Sequence, residues 1–162
     1  MSKTQFSIIR AERKVVMDRI FAAPRDRVWQ TITDPQLIPQ WWGPNQYETV
    51  VDEMDLSVGG RWRFRNIGAN GDEHAFHGTY LEIDPPYRLV QTFNYEPIGP
   101  GHESVETATL EALGNDQTRM TMVSVAGSLE DLDGMVASGM EGGARETWER
   151  LANLLEREVT HE

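Results

Sequence analysis

The residues that first look capable of chemistry are Glu73-His74-Ala75-Phe76-His77, a carboxylate and two imidazoles within one short segment. Such a set could bind a metal ion or pass a proton, provided its side chains converge. The run reads as β-strand, and in a strand residues of opposite parity point to opposite faces. His74 and His77 then do not meet, and both are expected at the surface. His102 stands beside Glu103 elsewhere in the chain, and His161 lies in a terminal tail expected to fray. Ser104, Ser124 and Ser128 have neither the context of a nucleophile elbow nor an evident histidine base. The glycines at 59–60 and 99–101 punctuate turns and lack the spacing, or the following helix, of a phosphate loop. With no cysteine in the chain, disulfides, thiolate nucleophiles and Cys-ligated zinc are also removed. No catalytic group, metal ligand set or cofactor is expected.

What remains is a set of large apolar side chains whose spacing places them on common faces. Residues 61–65, Arg-Trp-Arg-Phe-Arg, alternate most clearly: Trp62 and Phe64 share one face and three arginines the other. By the same parity Phe76, Gly78 and Tyr80 lie together, as do Leu89, Gln91 and Phe93, and Met120 and Met122. Opposed to Met140, Ala144 and Trp148 of a C-terminal helix, these residues would line one interior. Trp and Met are bulky, adaptable groups common in pockets for small apolar molecules. Gln91 is the polar member, and inside such a wall it needs a partner: Tyr80, Glu106, water or a ligand carbonyl. Trp41 and Trp42 are adjacent and so point different ways, one plugging the end of the interior and the other covering the outside. The predicted ligand-binding set is Trp41, Trp62, Phe64, Phe76, Tyr80, Gln91, Phe93, Met122, Met140 and Trp148.

The elements that would position these residues can be read in order. Residues 14–21 form a first strand, rich in β-branched side chains. Pro24 opens a short helix, its missing N–H costing nothing in the first turn, and Asp34-Pro35 closes it. A second helical turn carries Leu37, Ile38, Trp41 and Trp42 and is stopped by Gly43-Pro44. Six strand-like runs follow, at 47–54, 61–65, 75–83, 87–95, 105–113 and 118–126, with turn signals that include Asn70-Gly71 and Gly114-Asn115-Asp116. Ser128-Leu129-Glu130-Asp131 caps a short helix ending near Gly134, and Ser138-Gly139-Met140-Glu141 has the form of a capping box opening a long one. Met140, Ala144, Trp148, Leu151, Leu155 and Val159 keep to one face of that helix, with Glu141/Arg145 and Glu146/Arg150 as outward pairs. Gly142-Gly143 within it costs roughly 1 kcal/mol each against alanine, so either tight packing on the sheet or room for a guest must offset the loss. Consecutive strands joined by short turns, with helices segregated from them, predict the α+β class: a curved antiparallel sheet wrapped around the long C-terminal helix.

Bulk properties narrow the partners. A chain of 162 residues with 39% apolar and 25% charged residues is one ordinary soluble domain, spanning 1–162. Its formal charge of −11 repels phosphate backbones and anionic lipid, which argues against nucleic acid and membrane surfaces as partners. There is no signal-peptide core and no long apolar run, so the cytoplasm is the expected compartment. A homodimer is expected on general grounds alone.

The pieces FAAPRDRVWQTITDPQLIPQWWGP at 21–44, GGRWRF at 59–64, FHGTYLEIDPPYRLVQTF at 76–93 and GARETWERLANLLE at 143–156 together resemble the activator of heat-shock-protein-90 ATPase-like family, within the START-type, birch-pollen-allergen-like helix-grip superfamily. The resemblance implies a curved antiparallel sheet gripping the C-terminal helix, with a cavity between them that often holds a small apolar molecule. Binding of a small, mostly hydrophobic molecule is therefore the expected function. It also implies two alternatives. Cyclases and hydrolases of the superfamily set an acid or a histidine into the same cavity. Glu106 with Tyr80 is the pair to test here, because an inward carboxylate among apolar walls has a raised pKa. The co-chaperones that name the family carry a further N-terminal domain for which this length leaves no room, so a protein-interaction role of that kind is the weaker expectation.

Overall fold

A computed structural model describes residues 3–160, with side chains through Arg157. The expectations for the Val159 side chain and for His161 lie outside the described residues. Eight strands form one antiparallel sheet: β1 (Gln5–Ile9), β2 (Lys14–Phe21), β3 (Tyr47–Met54), β4 (Arg61–Gly68), β5 (Glu73–Asp84), β6 (Arg88–Tyr95), β7 (Ser104–Gly114) and β8 (Gln117–Val125). They lie in the order β1-β2-β8-β7-β6-β5-β4-β3. Three helices, α1 (Arg25–Thr33), α2 (Leu129–Ala137) and α3 (Met140–Thr160), complete the α+β arrangement, and the sheet curves around α3.

β1 is an addition to the sequence reading. Its Phe6 and Ile8 share a face, but only Phe6 is partly buried, and the strand lies ahead of the first one read from sequence at residue 14. It forms because a tight turn, closed by Arg13 in the left-handed region (φ 56°), folds 5–9 back onto β2 as an edge. The other strands fall where alternation placed them. Trp62 and Phe64 are buried, whereas Arg63 and Arg65 form an ionic ladder on the opposite face. There Arg63 meets Glu96 (2.8 and 3.0 Å) and Asp52 (2.6 Å), and Arg65 meets Asp52 and Glu73. The Arg63 guanidinium, followed by His77, holds the Glu96 carboxyl down at about 2.

Helix boundaries follow local chemistry. Pro24 caps α1 and its carbonyl accepts from Arg27 and Val28, while Asp34 is extended ahead of Pro35. Ser128 caps α2 through the Asp131 N–H (3.0 Å), and the helix runs past Gly134 to Ala137. Ser138 does something other than expected. Its hydroxyl donates back to the Met135 carbonyl (2.6 Å), closing α2 rather than capping α3, and Gly139 makes the break at φ +82°. Glu141 pairs with Arg145 at 2.9 Å. Glu146 and Arg150 instead hold the loop after the two tryptophans: Arg150 donates to the carbonyls of Gly43 (2.8 Å) and Gln40, and Glu146 accepts from the Asn45 N–H (3.0 Å).

Candidate functional site

The inner face of the sheet has two ends of different character. Along β2, Val15, Met17, Arg19 and Phe21 are all buried. Tyr80, Leu89, Ala108, Leu110 and Met120 continue that sealed layer on β5 to β8, under Trp148, Leu151 and Leu155 of α3, with Phe21 edge-on to Trp148 at 5.7 Å. Two to six residues further along the same strands and on the same face, Gln91, Phe93, Tyr95, Phe76, Glu106 and Met122 are each only half-buried. The helix above them supplies Met140, Ala144 and Thr147, also half-buried. Side chains that point inward and still reach solvent mark an interior left open at this end.

The reason lies in α3. Its first two turns are Met-Glu-Gly-Gly-Ala-Arg-Glu-Thr, whose one large apolar side chain, Met140, packs with Val15, Ala126 and Leu132. Gly142 has nothing within 4 Å of where a Cβ would sit, and Gly143 would meet only Pro44 at 3.5 Å. Tight helix–sheet packing therefore does not account for these glycines. Gly78 is the contrasting case on the sheet, where a Cβ would collide with the Thr92 carbonyl and the Trp62 indole, so only glycine lets that ring lie flat.

Aromatic rings floor the open end. Phe76 packs against Phe93 (5.4 Å between centroids), Tyr95 (5.2 Å) and Trp42 (5.3 Å), and Trp42 also meets Phe64 (5.1 Å). The two adjacent tryptophans do part company. Trp41 is buried under α1 and donates its indole N–H to the Thr31 carbonyl (3.0 Å), while Trp42 joins the aromatic floor.

Set among these rings is a polar trio. The register pairs Gln91 with Glu106 and Glu106 with Ser124, three neighbouring strands on one inner face. Gln91 Nε2 approaches Glu106 Oε1 at 3.4 Å. Glu106 is half-buried at the open end, and burial pushes its carboxyl up to about 7 against the weaker pull of hydrogen bonds from Gln91 and Ser124. No cationic side chain contributes to that balance. A carboxyl poised near neutrality can donate or accept a proton, or hold a hydrogen-bonding ligand. At the rim, His74 Nδ1 meets the Tyr95 hydroxyl (2.7 Å), and His74 Nε2 lies near Asp72 (3.2 Å) and the Tyr47 hydroxyl (3.3 Å). His77 turns to the outer face, against Glu96 and Asn94. Among the described residues no cluster of three metal-binding side chains occurs, and no helix is long and apolar enough to cross a membrane.

The family model described as activator of Hsp90 ATPase homolog 1-like protein matches residues 22–156. The chain belongs to that family. No curated protein matches it. Among solved structures, Ms6760 from Mycobacterium smegmatis is similar at 26% identity and a TM-score of 0.83, over 95% of this chain and 98% of that one. A protein from Arthrobacter aurescens gives 26% identity and 0.87, over 94% and 91%. CV1439 from Chromobacterium violaceum gives 27% and 0.79, over 89% and 97%.

Within this family member the ten residues singled out from sequence divide evenly. Trp41, Trp62, Phe64, Tyr80 and Trp148 sit in the sealed core, and burial raises the Tyr80 hydroxyl well above its ordinary range. Phe76, Gln91, Phe93 and Met122 lie at the open end, with Met140 nearby in a satellite cluster beside Val15, Ala126 and Leu132. Sequence reasoning missed Trp42, Tyr95 and Ser124 as parts of this wall. Parity alone would have found Tyr95, two residues beyond Phe93, and Ser124, two beyond Met122.

Proposed function

We propose that this protein binds a small, mostly apolar molecule at the open end of its interior, between β5–β8 and the first turns of α3. One observation carries the reading. Inward-facing Phe76, Phe93 and Met122 remain half-exposed, while Tyr80, Leu89 and Met120 on the same strands are sealed. Exposed inward apolar surface gains from a guest at about 25 cal/mol per Å² removed from water. Native mass spectrometry of the protein from its own host tests the reading directly. The expected result is a reproducible extra mass of small-molecule size that disappears on denaturation. A bare chain mass, together with tryptophan fluorescence unmoved by any of a panel of hydrophobes, would overturn it.

A second reading is supported by Glu106. A carboxyl near neutral pH facing the same space could act as general acid or base, making the guest a substrate. If the co-purified molecule is recovered chemically altered after incubation, and Glu106→Gln abolishes the change while retaining binding, the enzyme reading replaces simple binding.

A further inference from the structure

Resting on the ligand-binding reading above, we infer that the open end is a site for an organic cation, in which Glu106, framed by Gln91 and Ser124, receives a protonated amine carried on an apolar skeleton. Four observations converge on this class. The first is the carboxylate itself, which lies on the inner face with hydrogen-bonding neighbours on both adjacent strands and no cation balancing it. An ionised carboxylate offers about four acceptor positions, and Gln91 and Ser124 account for two. The second is the wall beside it. Phe76 and Phe93 are half-buried on the same inner face as Gln91 and Glu106, and aromatic rings beside a site attract cations more strongly as water is excluded. The third is the absence of competition. Arg19, the other charged group on this face, is held by Glu149 (2.8 Å) and Thr4, and it stands opposite Met120, four residues along β8 from Ser124. The fourth is the net charge of −11, which raises the local concentration of cations and repels carboxylate ligands.

The other titratable groups around the site are engaged elsewhere. On β5, His74 is bound to Tyr95 and Asp72. On α3, Arg145 donates to Glu141 and to the Thr4 carbonyl, and Glu146 takes the Asn45 N–H. Binding of a cation should therefore follow the ionisation of Glu106 and strengthen as pH rises through about 7.

Three probes of one skeleton test this: naphthylmethylamine, naphthylmethanol and naphthoic acid, titrated calorimetrically against the full chain at about pH 8 and about pH 5. The expected result is that the amine binds roughly ten- to a hundredfold more tightly than the alcohol at the higher pH, the range of a charge-assisted hydrogen bond. The gap should shrink severalfold at the lower pH and vanish in Glu106→Gln. The pH series on the unsubstituted protein gives the answer even if that variant misfolds. If the alcohol or the acid binds as tightly as the amine, the cation inference is overturned and the apolar site stands. If none of the three binds, the site itself is refuted along with it.

Discussion

The sealed and open ends of the interior are built from the same strands with the same alternation, so what separates them is the helix laid across them. Over the sealed end α3 contributes Trp148, Leu151, Ala152 and Leu155, each almost wholly buried. Over the open end it contributes Met140, Ala144 and Thr147, of which only the methionine is large, and that one packs with Val15, Ala126 and Leu132. One amphipathic helix thus completes a core with one half and leaves it unfinished with the other. On the proposed function, stability and ligand binding fall to different turns of a single element, and each can be perturbed alone.

The sharpest test of that division is to truncate one large side chain at each end. Leu155 has no exposed surface, and Leu155→Ala should cost about 3–4 kcal/mol, the transfer loss plus an unfilled cavity. Phe93→Ala removes a larger ring, packed on Phe76 and Trp62 but already in contact with solvent, and should cost only about 1–2 kcal/mol. Urea denaturation measures both. Equal losses would mean that the two ends are equally packed.

A second test reads the open end through its carboxyl. The Glu106 pKa in the folded protein is about 7 against an ordinary 4.5, so the folded state keeps a proton that the unfolded chain has lost. Below about pH 4.5 both states are protonated and the group is neutral in its effect. As pH climbs from there to about 7, stability falls, reaching a penalty on the order of 3 kcal/mol above that range. Glu106→Gln should therefore match the parent protein near pH 4 and exceed it by about that amount near pH 8. A difference that stays flat across the range would show the carboxyl to be fully hydrated.

Much of this architecture was legible in the chain. Alternation in 61–65 assigned Trp62 and Phe64 inward, and the strand, turn and proline signals placed seven strands and α1. The parity argument also separated His74 from His77. What escaped was set by long-range geometry. β1 carries only the short Phe6/Ile8 alternation and is held as a strand by pairing along the edge of β2. Ser138 could cap either neighbouring helix, and its rotamer, which local sequence does not fix, chose α2. Glu146 and Arg150 read as a surface pair until the Gly43–Pro44 loop arrived between them. The site was half-legible for the same reason. Parity says which residues face inward, but whether the helix above fills the space depends on where the chain breaks at Gly139 and so which turns of α3 meet which strands.

The smallest predicted effect is the most discriminating, because it asks whether the open end has space to spare. Adding atoms to a well-packed core forces shifts, and Ala152→Leu, at a position 4% exposed among Leu151, Leu154 and Leu155, should destabilise by about 1–3 kcal/mol. Ala144→Leu makes the same chemical change two turns earlier, at a half-buried position. There the added isopropyl group would enter solvent-accessible volume and cover apolar surface, while helix propensity falls slightly relative to alanine. The expected net change is within about 0.5 kcal/mol of zero, in either direction. On the proposed function the same variant should also lose ligand binding, because the new side chain would fill part of the open end. Thermal melts measure the first consequence and native mass spectrometry the second. A large destabilisation by Ala144→Leu would show that α3 already touches the sheet there, and that the half-exposure of Phe93 and Met122 reflects a shallow rim with no room for a ligand.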